Sequence, residues 1–307
     1  MQSRHESKPV VLVTGASGLL GSRVVSCLSQ NIPDCRLLLV TRNNKNVHEN
    51  DNTEVVTGDL RDEQLWTSLP DTITHVVHLA SVIPRQVEER YQPTMLMDNL
   101  LPLTHLLEQS RNWSHLAQVI YSSSVSVYTQ SDDFLNEEST KQPADLYGAS
   151  KLAGEELLNS FAARNVATAS LRLSSLYAHG QYQGTVLPLM INRALQQQPL
   201  LLFGEGSRTQ DFLHCDDAAR AILLSFQKRA NGVYNVGTGV PVTMADLART
   251  VSHVFTGDTA EIVFQHDQPD KDSGLKLDIS KARRELNFRP EIDLASGLRK
   301  LKQEMNA

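Results

Sequence analysis

Residues 10–23 read VVLVTGASGLLGSR, and this stretch decides the fold. Val10 to Val13 are consecutive strand formers that run through Thr14 into Gly15, Gly18 and Gly21, while Leu19, Leu20, Val24, Val25 and Leu28 recur with helical spacing from among the glycines. The order is a buried strand, a tight turn and a helix. Glycine permits dihedrals that other residues avoid and lets a phosphate approach the backbone, and a helix N-terminus offers unpaired N–H groups and a partial positive charge. A dinucleotide pyrophosphate fits such a turn. The spacing is G-x-x-G-x-x-G rather than G-x-G-x-x-G, a pattern that a structural glycine turn also satisfies.

The residues downstream supply context. Arg36 to Val40 (RLLLV) is a second apolar strand, so strand, helix and strand fit within about 30 residues, the size of one βαβ unit. In such a unit an acidic residue after the second strand bonds a ribose 2′-hydroxyl, whereas an arginine suits a 2′-phosphate. Here Thr41-Arg42-Asn43-Asn44-Lys45 carries no carboxylate, which favours NADP over NAD; solvated loop charges are the alternative reading of Arg42 and Lys45. A third strand, Glu54 to Thr57, ends in Gly58-Asp59-Leu60, and a fourth, Thr74 to Leu79, ends in Ala80-Ser81, where small residues leave room for a cofactor beyond the strand ends. His75 and His78 read as packed or hydrogen-bonded histidines rather than metal ligands.

Met95 to Glu108 has helical periodicity, with Pro102 either kinking one helix or dividing two. The fifth strand, Gln118 to Tyr121, delivers Ser122, Ser123 and Ser124 at its end, a polar crowd of the kind that marks a site as well as a turn. Tyr147 and Lys151 follow, four residues apart and so on one helical face. A free tyrosine, with a pKa of about 10, is a poor base near neutrality. A cation one turn away stabilises its phenolate and brings it toward the working range.

With these motifs in this order the sequence resembles the extended short-chain dehydrogenase/reductase family, the NAD-dependent epimerase/dehydratase group. The resemblance runs through TGASGLLG, GDL at 58–60, HLAS at 78–81, YSSSVSVY at 121–128, YGASK at 147–151, LRLSSLY at 171–177, GEGSRTQDFLHCDDAARA at 204–221, YNVGTG at 234–239 and DISKARRELNFRP near the end. It implies an α/β fold: a Rossmann doubly wound parallel sheet, residues 1–175 plus 212–240, and a smaller C-terminal α/β substrate domain, residues 176–211 plus 241–307. It implies Tyr147 as acid/base, Lys151 as the group that lowers its pKa and bonds the nicotinamide ribose, and Ser124 as the partner of the reacting oxygen. By the same resemblance Gly15, Ser17, Gly18, Leu19, Leu20, Gly21, Arg42, Asp59, Leu60, Leu79, Ala80, Ser81 and Ser122 face the cofactor. Ser123, Ser175, Thr185, Arg208, Gln210 and Gln268 face the substrate. A homodimer formed through helices near Met95 and Leu152 is also implied.

Departures from the family pattern narrow the chemistry. Dehydratases of the family carry an Asp-Glu pair just after the catalytic hydroxyl residue; here Val125-Ser126 follow Ser124, so an epimerase or a ketoreductase is favoured. Arginines expected to pair with a substrate diphosphate are replaced by Gln210 and by Gln268 before Pro269, and their loss removes strong phosphate contacts unless Arg208, Lys271 or Lys276 stands in. The expected substrate is a sugar, most simply a nucleotide-linked one. A different carbonyl substrate is the alternative, and a non-catalytic dinucleotide sensor is a third reading, against which an intact Ser124, Tyr147 and Lys151 argue.

Composition is consistent with a globular protein: 307 residues, 40% hydrophobic and 21% charged, with a net charge of -6 that gives no footprint for nucleic acid or an acidic membrane. No apolar run is long enough to cross a bilayer, residues 1–8 lack the apolar core of a signal peptide, and Cys27, Cys35 and Cys215 have no metal-like spacing. A cytoplasmic protein with reduced thiols and no metal is expected. Asp216 and Asp217 read as caps of the helix they open, and Lys281 to Leu286 as a short amphipathic helix.

Overall fold

The computed structural model describes residues 8–43, 50–129, 131–267 and 274–306, so Lys45, Gln268 and Lys271 lie outside the described residues. Besides short 3₁₀ turns, the chain runs β1 (Val10–Thr14), α1 (Leu19–Asn31), β2 (Arg36–Thr41), β3 (Thr53–Thr57), α2 (Glu63–Thr67), β4 (His75–His78), α3 (Pro93–Gln109), β5 (Gln118–Ser124), β6 (Phe134–Leu135), α4 (Leu146–Asn159) and β7 (Ala167–Leu173). It continues through β8 (Ser175–Tyr177), α5 (Val186–Leu195), β9 (Leu200–Phe203), β10 (Thr209–Gln210), β11 (Phe212–His214), α6 (Cys215–Gln227) and β12 (Gly232–Val236). The last elements are β13 (Val242–Thr243), α7 (Met244–Thr256), β14 (Ile262–Gln265), β15 (Lys276–Leu277) and α8 (Leu294–Met305). Among the described residues no helix is long and apolar enough to cross a membrane.

Two compact units are formed. The first comprises Met1–Val127, Pro143–Leu171 and Ala219–Val233. It is built on a seven-stranded sheet of order β12-β7-β5-β4-β1-β2-β3. β1 pairs in parallel with both β2 and β4, β2 with β3 and β4 with β5. The chain therefore lays strands outward from β1 in one direction, then returns and builds in the other. This is the doubly wound α/β architecture, and its topological switch lies where β1 and β4 end. The apolar runs explain the burial: Val11, Leu12, Val13, Leu37 to Val40, Val76, Val77, Val119 and Ile120 are each at most 1% exposed. Strands covered on both faces require such unbroken hydrophobicity.

Of the two readings of Pro102, the structure has the single helix: the residue lies inside α3, where it is buried. The backbone bond it forfeits is offset by burial of neighbours such as Leu103 and Leu106 in the core of this unit. β5 extends to Ser124, so the three serines belong to the strand rather than to a loop beyond it.

The second unit comprises Tyr128–Gln142, Arg172–Ala218 and Tyr234–Ala307. Its strands form four pairs: β8 with β11, β9 with β14 and β6 with β15 in parallel, and β10 with β13 antiparallel. Its core gathers Leu187 and Ile191 of α5, Leu247 and Val251 of α7, and Leu298 and Leu301 of α8. The Thr243 hydroxyl accepts from Asp246 N at 3.0 Å to cap α7, which ends at Gly257 with φ of 63°. Asp216 and Asp217 lie in the first turn of α6, where negative charge is favoured. The Asp217 carboxylate also accepts from the backbone N–H groups of Glu291 and Ile292 at 2.9–3.0 Å, and Asp216 accepts from Lys300, which fixes the segment before α8. The amphipathic helix expected at 281–286 is a five-residue π-helical turn, Ala282–Leu286.

Leu247 is fully buried and Leu201 is 41% exposed. Leu247→Ala should lower the unfolding free energy by about 2–5 kcal/mol, whereas Leu201→Ala should change it by about 0.5 kcal/mol or less, measured by denaturant titration.

Candidate active site

The glycine turn closes because side chains are absent from it. Gly15 has φ of +69°, and a Cβ there would lie 2.8 Å from Ala80 N; a Cβ on Gly21 would lie 2.1 Å from Gly15 O. Gly18 N donates to Gly15 O at 3.0 Å and begins α1. Neither a capping side chain nor an acidic residue occupies the first turn of α1, which leaves its N–H groups and dipole to an anion. Leu79 N donates to Thr14 O at 3.2 Å and Ala80 N to Thr14 Oγ1 at 3.3 Å, which lays residues 79–81 beside the turn. A cradle that any Cβ would fill, next to an uncapped helix start, fits a dinucleotide.

After β3 the Asp59 carboxylate accepts from Arg61 N at 2.9 Å and from the Arg61 guanidinium at 2.6–3.1 Å, while Arg61 also reaches Asp98 at 3.0 Å. Hydrogen bonds from Arg61, aided by the nearby charges of Arg61 and Arg42, hold the Asp59 carboxyl below its ordinary range. Leu60 O accepts from the Trp66 indole at 2.8 Å. Arg42 is exposed just beyond β2, and Ser17 and Leu19 are half-buried in the turn and the start of α1.

β5 and α4 meet at the second group. Asp145 caps α4 by accepting from Gly148 N at 2.8 Å, and Gly148 packs so closely that a Cβ would lie 2.3 Å from Ser126 O. This brings Tyr147 to the end of β5 beside Ser124, whose Oγ donates to Ser126 Oγ at 3.1 Å. Ser124 Oγ in turn accepts from Ser126 N at 3.1 Å. Burial pushes the Tyr147 phenol up to about 12, opposed by the Ser124 hydrogen bond. Lys151, 2% exposed, donates from Nζ to Ser122 O at 2.7 Å and stands 4.9 Å and 5.7 Å from the ring centres of Tyr121 and Tyr147. Burial brings the Lys151 ammonium down to about 7, opposed by Glu155.

The serines divide by strand alternation. Ser122 Oγ donates to His78 O at 3.2 Å. Ser123, expected at the substrate, is 2% exposed and donates to Glu155 at 2.5 Å. His78 hydrogen-bonds Thr14 at 3.0 Å, and His75 bonds Thr74 at 2.8 Å and packs on Phe226, so both are structural histidines.

Sequence reasoning missed Asn99 and Glu155. Asn99 of α3 accepts from Val82 N at 2.7 Å and Ser81 at 3.2 Å, and donates to Val82 O at 3.1 Å and Ser150 at 3.0 Å, tying the end of the β4 segment to α4. A polar residue within the Leu-rich stripe of α3 was its only signal. Glu155 was signalled by its place one turn beyond Lys151.

In the second unit Gln210 donates to Ser175 and accepts from Arg208 Nη2 at 3.3 Å, so three residues expected at the substrate form one polar line. Asp211, beside them and fully buried, accepts from Ser174 at 2.7 Å, from Thr238 N and Oγ1 at 2.9 Å, and from Gly239 N at 2.8 Å. Thr185, just before α5, bonds Gln181 at 3.1 Å and Tyr182 O at 3.3 Å.

The family model for the NAD dependent epimerase/dehydratase family matches residues 11–237. A Methanocaldococcus jannaschii protein with the provisional name UDP-glucose 4-epimerase is 30% identical, the alignment covering 95% of this chain and 97% of that one. The structure resembles a UDP-glucose 4-epimerase with UDP-glucose from Thermotoga maritima, with a TM-score of 0.84, 27% identity and coverage of 97% and 98% of the two chains. It also resembles a structure titled MoeE5 in complex with UDP-glucuronic acid and NAD, with a TM-score of 0.81, 27% identity and coverage of 96% and 98%. These comparisons lend no support to the NADP preference read from Arg42.

Gly21→Ala places a Cβ against Gly15 O and forces the turn open. Dinucleotide affinity, measured calorimetrically, should fall by about tenfold or more while the fold, read by circular dichroism, persists.

Proposed function

The chain belongs to the NAD dependent epimerase/dehydratase family, and from that premise we propose that it is a NAD-dependent 4-epimerase of a UDP-linked hexose. The observation that carries this reading is the placing of Tyr147 and Lys151 on one face of α4 beside Ser124 at the end of β5, with the Lys151 ammonium 5.7 Å from the tyrosine ring centre. Ser124, Tyr147 and Lys151 are the catalytic groups. The Tyr147 phenolic oxygen takes the proton of the sugar hydroxyl as its carbon becomes a carbonyl, and gives it back when the carbinol re-forms. Ser124 holds that same oxygen in line with Tyr147. Burial leaves Tyr147 too weakly acidic to work near neutrality, and a positive charge on Lys151, 5.7 Å from its ring centre, favours its phenolate.

The 15–21 turn with Asp59, Leu60, residues 79–81 and Ser122 would hold the NAD, which when bound accepts a hydride from the carbinol carbon and returns it to the opposite face. In the second unit Arg208, bonded to Gln210 in the Gln210–Ser175 line, offers the kind of positive charge that a diphosphate requires. Val125 and Ser126 bring no carboxylic acid beside Ser124 for water elimination, which favours epimerisation over dehydration. The UDP-glucose and UDP-glucuronic acid held by two of the similar solved structures support the nucleotide.

The exposed Arg42 favours a second reading, an NADPH-linked ketoreductase.

The test incubates the protein with NAD or NADP and each of UDP-glucose, UDP-N-acetylglucosamine and UDP-glucuronic acid, following the sugar protons by NMR. One substrate should be epimerised with NAD, and Tyr147→Phe should lower kcat by about 10²–10⁴-fold with little change in KM. Net NADPH consumption on a keto substrate, without epimer formation, would support the second reading instead. Arg208→Ala should weaken UDP-sugar binding by about 10- to 100-fold in calorimetric titration.

A further inference from the structure

α4 carries a second buried ionisable group that the chemistry above does not use. Glu155 lies four residues beyond Lys151 and eight beyond Tyr147, so the three share one face of the helix. Its side chain is 4% exposed and accepts the Ser123 hydroxyl at 2.5 Å. A buried carboxylate beside a buried ammonium is costly to maintain unless each has a partner. Here the carboxylate accepts the Ser123 hydroxyl, and the ammonium donates to a carbonyl, Ser122 O at 2.7 Å, and stands near the Tyr121 and Tyr147 rings.

The titratable groups that face the Lys151 ammonium are few. β5 brings Tyr121, whose phenol burial pushes well above its usual value. β4 brings His78, which burial, and then the Lys151 charge itself, push down to about 3, so that it is neutral at working pH. α3 brings the neutral Asn99, bonded at Ser150. α4 brings Tyr147 and Glu155, and among the described residues Glu155 is the carboxylate of this group.

Resting on the reading of Tyr147 as acid/base, we propose that Glu155 is a positioning residue for the reaction: anchored by Ser123, its carboxylate holds the buried Lys151 in the charged form that Tyr147 needs. The three consecutive serines of β5 then have separate tasks. Ser122 receives Lys151 on its carbonyl, Ser124 meets Tyr147, and Ser123, on the opposite face of the strand, fixes the counter-charge. Burial works against the ammonium and Glu155 works for it. With Glu155 neutralised the lysine loses its proton at lower pH, and the alkaline limb of activity moves down with it.

The test reads Lys151 directly, by NMR titration of protein labelled with 13C at the lysine ε-carbon, with the Lys151 signal assigned from Lys151→Met. Relative to the parent, the titration midpoint of Lys151 should fall by about one pH unit or more in Glu155→Gln, and by less in Glu155→Asp and Ser123→Ala. Turnover above the new midpoint should fall by about tenfold, with KM for the sugar nucleotide within about twofold. An unmoved Lys151 midpoint in the folded variants, or a loss confined to KM, would overturn the proposal. If Glu155→Gln does not fold, Ser123→Ala and Glu155→Asp, which change the group less, carry the same readout. The titration needs no substrate, so a shifted midpoint without turnover of any UDP-sugar would sink the proposed activity and leave the role of Glu155 standing.

Discussion

The backbones of Gly15 and Ala80 approach until no Cβ fits between them. This constraint joins the ends of β1 and β4 at the point where the sheet reverses its winding, and it sets the direction in which α1 leaves β1. Gly21 repeats the condition one turn into the helix, against Gly15 O. An uncapped helix start is thereby held beside the strand ends, an arrangement in which N–H groups and a helix dipole are offered to an anion without any side chain having to supply charge.

A second constraint acts at the end of β5. Lys151 is a cation at 2% exposure, and a group in that position is neutral or tied down. The surroundings tie it down with the Ser122 carbonyl, two aromatic rings and a carboxylate one turn along α4. The same burial lifts the Tyr147 phenol and lowers the Lys151 ammonium, because each change disfavours the charged form of its group. Ser124 is held by Ser126 at the end of β5, and Asn99 joins the segment after β4 to α4.

What was legible in the sequence was local. Val10–Val13 and Arg36–Val40 announced themselves as strands by unbroken apolar residues, the glycines marked the turn, and the Tyr147–Lys151 spacing put both on one helix face. What was not legible depended on partners far along the chain. Ser122 to Ser124 looked like a loop because they are polar, yet they continue β5, with Ser122 and Ser123 satisfied by His78 and Glu155. Asp217 was read from its place at a helix start, and its further bonds to backbone groups 74 and 75 residues away were not legible there. Asn99 stood in an apolar stripe and drew no notice, since its four contacts come from segments that only folding assembles. Arg42 suggested a 2′-phosphate by its charge alone, but nothing in a strand end tells whether that charge meets a cofactor or water.

The central claim is that one hydride leaves a sugar carbon and returns to it within the same active site, with Tyr147 carrying the proton. The most direct measurement follows a UDP-hexose bearing deuterium at C4 through turnover with NAD in ordinary water, by NMR and mass spectrometry of the product. Epimer that keeps its deuterium at C4 is the result expected, because a hydride returned from the cofactor does not exchange with solvent. Epimer that has lost the label to water, or no epimer from any UDP-hexose, would contradict it.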